Sequence, residues 1–318
     1  MIKSMLIRRL AGGLLMLWLI SVLVFVTIHL LPGDAVTSLL GHDATPEQFE
    51  SLTRQLGLDQ PLLTQYVTWI KGLFTGEWGS SLVSSLSVSD IVGSRMENTA
   101  VLSIMAMLVM GPLAIGIGTL SAIRNGRAFD NVNSVLTLVL SAIPGFAIGV
   151  LVIYFFATNV FHWLPAASII DPEKSVWLQL DLVVAPMIAA VLSMIPYPIR
   201  MVRAAMIDVL QSDYIMLARL KGLPERRVIF RHALRNGLGP MIQALALTLL
   251  FLTGGIIVVE TVFSYPGVGY ELVQAVNHRD VPVVQTIVVL LAAICVVINL
   301  LADLAVAFAT PRLRTKLL

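Results

Sequence analysis

The residues of this chain with the strongest claim to do work cluster in one polar stretch, DYIMLARLKGLPERRVIFRHALRN, running from Asp213 to Asn236 between two long apolar runs. The stretch reads as two short helices broken at Gly222. Glycine takes the left-handed backbone that ends a helix without a Cβ penalty, and Pro224 suits the first turn of the next helix. Tyr214, Leu217, Ala218 and Leu223 offer a knob for a soluble partner to grip, small Ala218 allows close approach, and Arg219 and Lys221 can pair with that partner's acids. The chemistry expected here is mechanical: force enters through a rigid basic elbow. Arg227, Arg231 and Arg235, at four-residue spacing, also suit contact with lipid phosphates.

Bond-making chemistry has no comparable cluster. There is no Gly-Lys dipeptide, so there is no G-x-x-x-x-G-K-[ST] phosphate loop, and hydrolysis of ATP by this chain is not expected. His29, His42, His162, His232 and His278 are scattered without H-E-x-x-H spacing, and no G-x-S-x-G elbow occurs. Cys295 stands alone, which excludes a disulfide framework and a thiolate metal cluster. Gly267-x-Gly269 is half of a glycine fingerprint and reads as a turn. Glu260 and Asp303 lie close to the ends of apolar runs, which favours a hydrogen-bonded structural role or a partner contact over proton relay in mid-membrane.

The elements that must hold the elbow are set by composition. With 57% hydrophobic and 13% charged residues over 318 positions, the apolar surface exceeds what one soluble core hides, so lipid is the solvent. Six apolar spans are expected, at about 10–31, 99–123, 132–157, 183–204, 240–262 and 283–308. Lys and Arg orient them. Lys3, Arg8, Arg9, Arg124, Arg127, Arg200, Arg203, the elbow cations, Arg312, Arg314 and Lys316 fall on one side, leaving Arg54, Lys71, Arg95, Lys174 and Arg279 on the other. By the positive-inside rule both termini are cytosolic, and 32–98 and 158–182 face outside. The net charge of +2 expresses that asymmetry and does not suggest nucleic acid. The first span, preceded by Lys3, Arg8 and Arg9 but followed by Leu31-Pro-Gly-Asp34, reads as a retained helix rather than a cleaved signal.

The division expected is 1–98 for the first span with an outer helical segment, 99–310 for a five-helix core containing the loop 205–239, and 311–318 for a tail. In the outer segment Thr45, Pro46 and Gln48 mark a helix start, Phe49, Leu52 and Leu56 line a face, and Gly57 stops it. A second helix begins near Asp59-Gln60-Pro61 and presents Leu62, Tyr66, Trp69 and Ile70. Pro196-Tyr197-Pro198 is the strongest expected break, because two prolines remove two donors. Gly111, Gly116, Gly118, Gly145 and Gly149 suit close helix packing. No internal repeat is visible, so any two-fold symmetry needs a second subunit.

The elbow resembles the coupling motif of binding-protein-dependent ABC importer permeases, E-A-A-x3-G-x9-I-x-L-P, with Met216-Leu217-Ala218 at E-A-A, Gly222 and Leu234 matching, His232 at Ile and Arg235 at Pro. The departures fit the dipeptide, oligopeptide and nickel branch: Asp213-Tyr214, Ala218-Arg219, Lys221-Gly222-Leu223 and Arg231 to Asn236. Leu31 to Asp34, Leu56 to Tyr66, and Glu260 to Gly269 with Arg279-Asp280 and Pro282 look like the same branch, in order and over nearly the whole length. The long first outer segment resembles the first of that branch's two permease types.

The resemblance implies a non-catalytic permease subunit of an all-α, six-span type I importer in a bacterial or archaeal inner membrane. It also implies a second permease, two cytosolic ATPases holding ATP and Mg, and an extracytoplasmic solute-binding protein. This chain itself would bind no cofactor or metal. Asp213, Tyr214, Leu217, Ala218, Arg219, Lys221, Gly222 and Leu223 would form the ATPase-coupling segment. Glu260, Phe263, Tyr265, Pro266 and Gly267 are the candidate outer gate or docking surface for the binding protein. The implied cargo is short peptides, with nickel, glutathione or another small solute as alternatives. A stand-alone ion-coupled carrier is the reading from another class, and it would need a paired mid-membrane acid or base.

Overall fold

The computed structural model describes residues 2–30, 45–55, 59–172 and 174–309. Leu31 to Asp34, Leu56, Gly57, the tail 311–318, and the side chains of Gln48 and Leu52 lie outside the described residues. Among the described residues the regular structure is helical, apart from one isolated bridge between Ser80 and Ser87.

The helices are α1 (Ile2–Leu30), α2 (Pro46–Gln55), α3 (Leu62–Thr75), α4 (Val88–Ile123), α5 (Ala128–Ala142), α6 (Gly145–Thr158), α7 (Leu180–Met194), α8 (Pro196–Leu210), α9 (Asp213–Leu220), α10 (Glu225–Phe263), α11 (Val268–Asn277) and α12 (Val281–Ala309). Four of them, α1, α4, α10 and α12, are each long and apolar enough to cross a bilayer. The bent pairs α5–α6 and α7–α8 bring the number to the six expected.

The two bends reverse the expected ranking of the prolines. At Pro144 the axis turns by 102°, against 46° at Pro196. The reason lies one residue upstream. Ile143 goes fully extended before Pro144, with φ −83° and ψ 127°, as crowding by the proline ring favours. Ile195 stays helical at φ −61° and ψ −28°, and its N–H still donates to Val191 O at 2.9 Å, so the chain kinks without unwinding.

The chain forms two compact units. One comprises residues 8–99 and 266–294. Its core is Val88, Val92, Val268, Ala275, Val283 and Ile287, with Trp78, Met96 and Leu272 packed around them. Phe25 of α1 meets Tyr66 edge-on at 5.4 Å and stacks on Trp69 at 6.1 Å, and the Tyr66 hydroxyl lies 2.8 Å from Ser21 Oγ. The expected apolar face of α3 is thus used at Tyr66 and Trp69, while Leu62 stays exposed. Buried Asp280 accepts hydrogen bonds from the Ser81 hydroxyl and the Leu82 N–H, and Glu271 pairs with Arg95 at 3.2 Å. These contacts close the turn before α4 onto the ends of α11.

The other unit comprises residues 1–7, 100–265 and 295–318. Its larger core runs through α4, α6, α7 and α10, with Leu102, Met110, Ile148, Ala189, Leu252, Ile256 and Phe263 at its centre. A smaller core of Val202, Met206, Ile215, Ala218, Val228, Ala233 and Met241 lies under the elbow. Glycines permit the close crossings. Gly118 of α4 faces Ile199 and Val202 of α8, and Gly149 of α6 faces Val262 of α10.

Candidate functional site

The elbow forms because its local signals agree. Asp213 in the first turn of α9 complements the positive end of the helix dipole. At the other end Gly222 has φ +75°, its N–H donates to Arg219 O at 2.9 Å, and the Leu223 N–H donates to Ala218 O at 3.3 Å. These two bonds are the Schellman pattern, and the Leu223 side chain packs on the cluster that holds Ala218, which completes it. Pro224 then stands at the N-cap of the next helix, one residue before the position expected for it, with Val228 N–H donating to its carbonyl at 3.2 Å.

That next helix is not short. Glu225 runs through to Phe263 as one helix of 39 residues, containing a π turn at Val228–Ala233 and Pro240 in its interior. The elbow is therefore the beginning of the span itself rather than a separate piece attached to it.

Exposure divides the expected coupling residues in two. Ile215 and Ala218 face inward, so the small side chain of Ala218 serves packing of α9 on its own bundle, and Leu223 is half-buried beside it. The outward face carries Leu217 at 56% exposure, Tyr214 at 37%, and two residues outside the expected coupling set, Met216 at 60% and Leu220 at 77%. Asp213, Lys221 and Gly222 are exposed around it. Arg219 does not wait for an outside acid: its guanidinium grips Glu225 across the glycine, at 2.7 Å through Nη2 and 3.3 Å through Nε. Both partners are largely solvated, so the pair contributes less than about 1 kcal/mol and only supplements the Schellman bonds that set the angle between the arms. Arg226, Arg227, Phe230, Arg231 and Arg235 are exposed along the start of α10.

The sequence reading overlooked an ion pair beneath this elbow. Asp130, 1% exposed at the start of α5, accepts from Arg203 of α8 at 2.5 Å (Nε to Oδ1) and 2.7 Å (Nη2 to Oδ2). It also accepts from the N–H of Gly126, whose φ is +75°, at 2.9 Å, while Arg203 reaches Asn125 Oδ1 at 3.0 Å. Arg203 itself stays partly exposed, so removing one partner costs less than the about 3–5 kcal/mol of a fully buried pair. Arg203 had been counted only as one of the basic residues that set orientation. Asp130 stands 73 positions from it in the chain, and an acid ringed by Arg124 and Arg127 was the only available signal.

The second expected site is of a different kind. Glu260, Phe263 and Tyr265 are completely buried. They end the span. Ser264 takes φ +50°, Tyr265 N–H donates to Glu260 O at 2.8 Å, and Ser168 N–H donates to Phe263 O at 2.8 Å. In the other unit the Pro266 carbonyl accepts from Asn98 Nδ2 and the Val268 N–H donates to Thr99 Oγ1, each at 2.8 Å. Gly267 precedes α11 in extended conformation.

Comparison with known proteins agrees with this architecture. Residues 114–315 match the binding-protein-dependent transport system inner membrane component family, and residues 1–103 match the N-terminal part described for such membrane components. The chain is 36% identical over 310 residues to the glutathione transport system permease protein GsiC of Escherichia coli K12, covering 98% of each. It is 31% identical over 308 residues to the probable peptide ABC transporter permease protein y4tP of Sinorhizobium fredii, covering 97% of this chain and 98% of that one. Among solved structures, an inward-facing form of the MetNI methionine ABC transporter matches with a TM-score of 0.57 at 18% identity, over 69% of this chain and 96% of that one. With its helical bundle, its elbow and full-length relatives, the chain belongs to the binding-protein-dependent transport system inner membrane components, the multi-pass permease subunits of ATP-driven importers.

Proposed function

We propose that this chain is one half of the translocation pathway of an importer for short peptides. A second permease forms the other half, two ATPases bind on the side of the elbow, and a binding protein delivers cargo to the opposite side. Glutathione is itself a small peptide, so the two named relatives point to one chemical class of cargo, linear amides with charged ends. The basic elbow side is cytosolic on this reading, with both termini there, in keeping with the concentration of Arg and Lys.

The observation that carries the mechanism is the outward face of α9. Met216, Leu217 and Leu220 are apolar, exposed and held on a short helix whose other face is locked into the bundle. Such a face seats in an ATPase groove. When ATP draws the two ATPases together, α9 is carried along, and the start of α10 moves with it because the Schellman closure at Gly222 and the core shared by Ile215, Ala218, Val228 and Ala233 join the two helices. The buried end of α10 at Glu260 to Tyr265 then acts as the stop that keeps the pathway shut on the far side, a gate made by packing rather than a docking surface.

The test is reconstitution of the full transporter with labelled dipeptides, tripeptides and glutathione. Leu217→Asp and Leu220→Asp place a charge on the seating face without touching the core. Each is expected to lower peptide-stimulated ATP hydrolysis and uptake by tenfold or more, on the order of the about 2 kcal/mol or more lost at an interface anchor, with the permease still in the membrane. Wild-type stimulation in both variants, or uphill uptake by this chain in vesicles lacking ATPases, would end the proposal.

A further inference from the structure

We propose that Asp130 is a positioning residue for coupling: through Arg203 it binds the α4–α5 turn to α8, so that turn, α8 and elbow move as one body. The inference rests on the coupling role of the elbow proposed above and extends it to residues outside α9.

The geometry points this way on three counts. First, Asp130 is saturated. Both carboxylate oxygens engage the Arg203 fork, and one also takes the N–H of Gly126, so the acid holds a side chain of α8 and the backbone of the turn at once. A two-pronged contact to a planar guanidinium fixes direction as well as distance. Second, α8 continues seven residues past Arg203 to end at Leu210, and only Gln211 and Ser212 separate it from α9. Ser212 continues the connection, because its carbonyl accepts from Ile215 N–H at 3.0 Å and its hydroxyl donates to Val209 O at 2.5 Å. Displacement of α9 is therefore passed to α8 across two residues. Third, Asn125, which Arg203 holds, lines a cleft of about 220 Å³ together with Ile207, Leu210, Gln211, Arg219 and Glu225. The turn, α8 and the elbow thus line one cleft. If they moved independently the cleft would open and close, and the motion of α9 would be spent there instead of reaching the span.

The experiment uses the assembled transporter, with both ATPases and the binding protein, in nanodiscs. Spin labels on Arg127→Cys and Gln211→Cys, in a Cys295→Ala background, report the distance across the cleft by pulsed electron resonance. One narrow distribution is expected with and without ATP. Asp130→Asn is expected to broaden it and to lower peptide-stimulated ATP hydrolysis about tenfold, with basal hydrolysis and assembly retained. Arg203→Gln should match it, and the double variant should be no worse than either, since both remove one interaction. Arg203→Lys keeps the charge without the fork and should broaden the distribution as well. Should Asp130→Asn fail to assemble, Asn125→Ala leaves the ion pair intact and removes only one edge, with a two- to threefold loss and partial broadening expected on the order of one hydrogen bond. A narrow distribution and full stimulation in Asp130→Asn, or in Asn125→Ala where that variant is the one tested, would overturn the inference. Failure of the Leu217→Asp and Leu220→Asp tests would instead strike the elbow assignment, so the two outcomes separate.

Discussion

Gly222→Pro is expected to abolish peptide-stimulated ATP hydrolysis by the assembled transporter while the permease still inserts and assembles. Position 222 sits at φ +75° and donates its N–H to Arg219 O. Proline holds φ near −65° and has no N–H, so it satisfies neither requirement, and the Schellman closure is lost with the angle it sets. The core under the elbow is built from Val202, Met206, Val228 and Met241 as well as from α9, so the span helices remain packed. Gly222→Ala separates angle from donor. No atom lies within 4 Å of the added Cβ, so its cost is the left-handed backbone alone, about 1–2 kcal/mol. It should therefore keep a reduced but measurable stimulation. Stimulated hydrolysis in Gly222→Pro equal to wild type would show that the bend at this position carries no force.

Gly118→Ala is expected to destabilise the bundle, and Gly116→Ala, two residues away on the same helix, is not. A Cβ at position 118 would lie 2.8 Å from the carbonyl oxygen of Ile199 and 2.8 Å from Val202 Cβ, and the first of these is backbone that moves only if α8 moves. Overpacking of this kind costs about 1–3 kcal/mol, which exceeds the gain of about 1 kcal/mol that alanine brings over glycine inside a helix. At position 116 no atom lies within 4 Å, so only the gain remains. Thermal unfolding of the purified protein in detergent should place Gly118→Ala several degrees below wild type and Gly116→Ala at or above it. Gly118→Val, bulkier and β-branched, should fail to accumulate. Equal melting of the two alanine variants would mean that α4 and α8 do not meet this closely.

The contrast between these two glycines also marks what could be read from the chain alone. The apolar spans were legible because lipid demands long unbroken runs, and the elbow was legible because Gly222 and Pro224 punctuate it. Which glycine meets another backbone was not, since that depends on helix rotation set by the whole bundle. The same limit explains the bends. Both Pro144 and Pro196 signal a break, but whether the residue ahead unwinds, as Ile143 does and Ile195 does not, follows from the packing around it. The Glu225-Arg-Arg stretch is too polar to look like membrane helix, so α10 seemed to start near Pro240, although its backbone is already helical fifteen residues earlier. Paired charges follow sequence distance. Arg219 and Glu225, six apart, were within reach of inspection, whereas Asp130 and Arg203 or Ser81 and Asp280 meet only after folding. At the end of α10 the motif marks Glu260, Phe263 and Tyr265, but that they are fully enclosed follows only from the packing around them.

The unbroken course of α10 has a geometrical consequence. At about 1.5 Å per residue, its 39 residues make a rod of roughly 58 Å. Pivoted near one end, such a lever arm magnifies rotation: a tilt of about 5° imposed at Glu225 sweeps Phe263 through roughly 5 Å, about one helical pitch. On the coupling proposed above, a small swing at the Glu225 end would displace the buried Glu260, Phe263 and Tyr265 at the other. The π turn and Pro240 lie within the first half of the rod and Gly254-Gly255 within the second, so bending is expected at both places and would reduce that sweep.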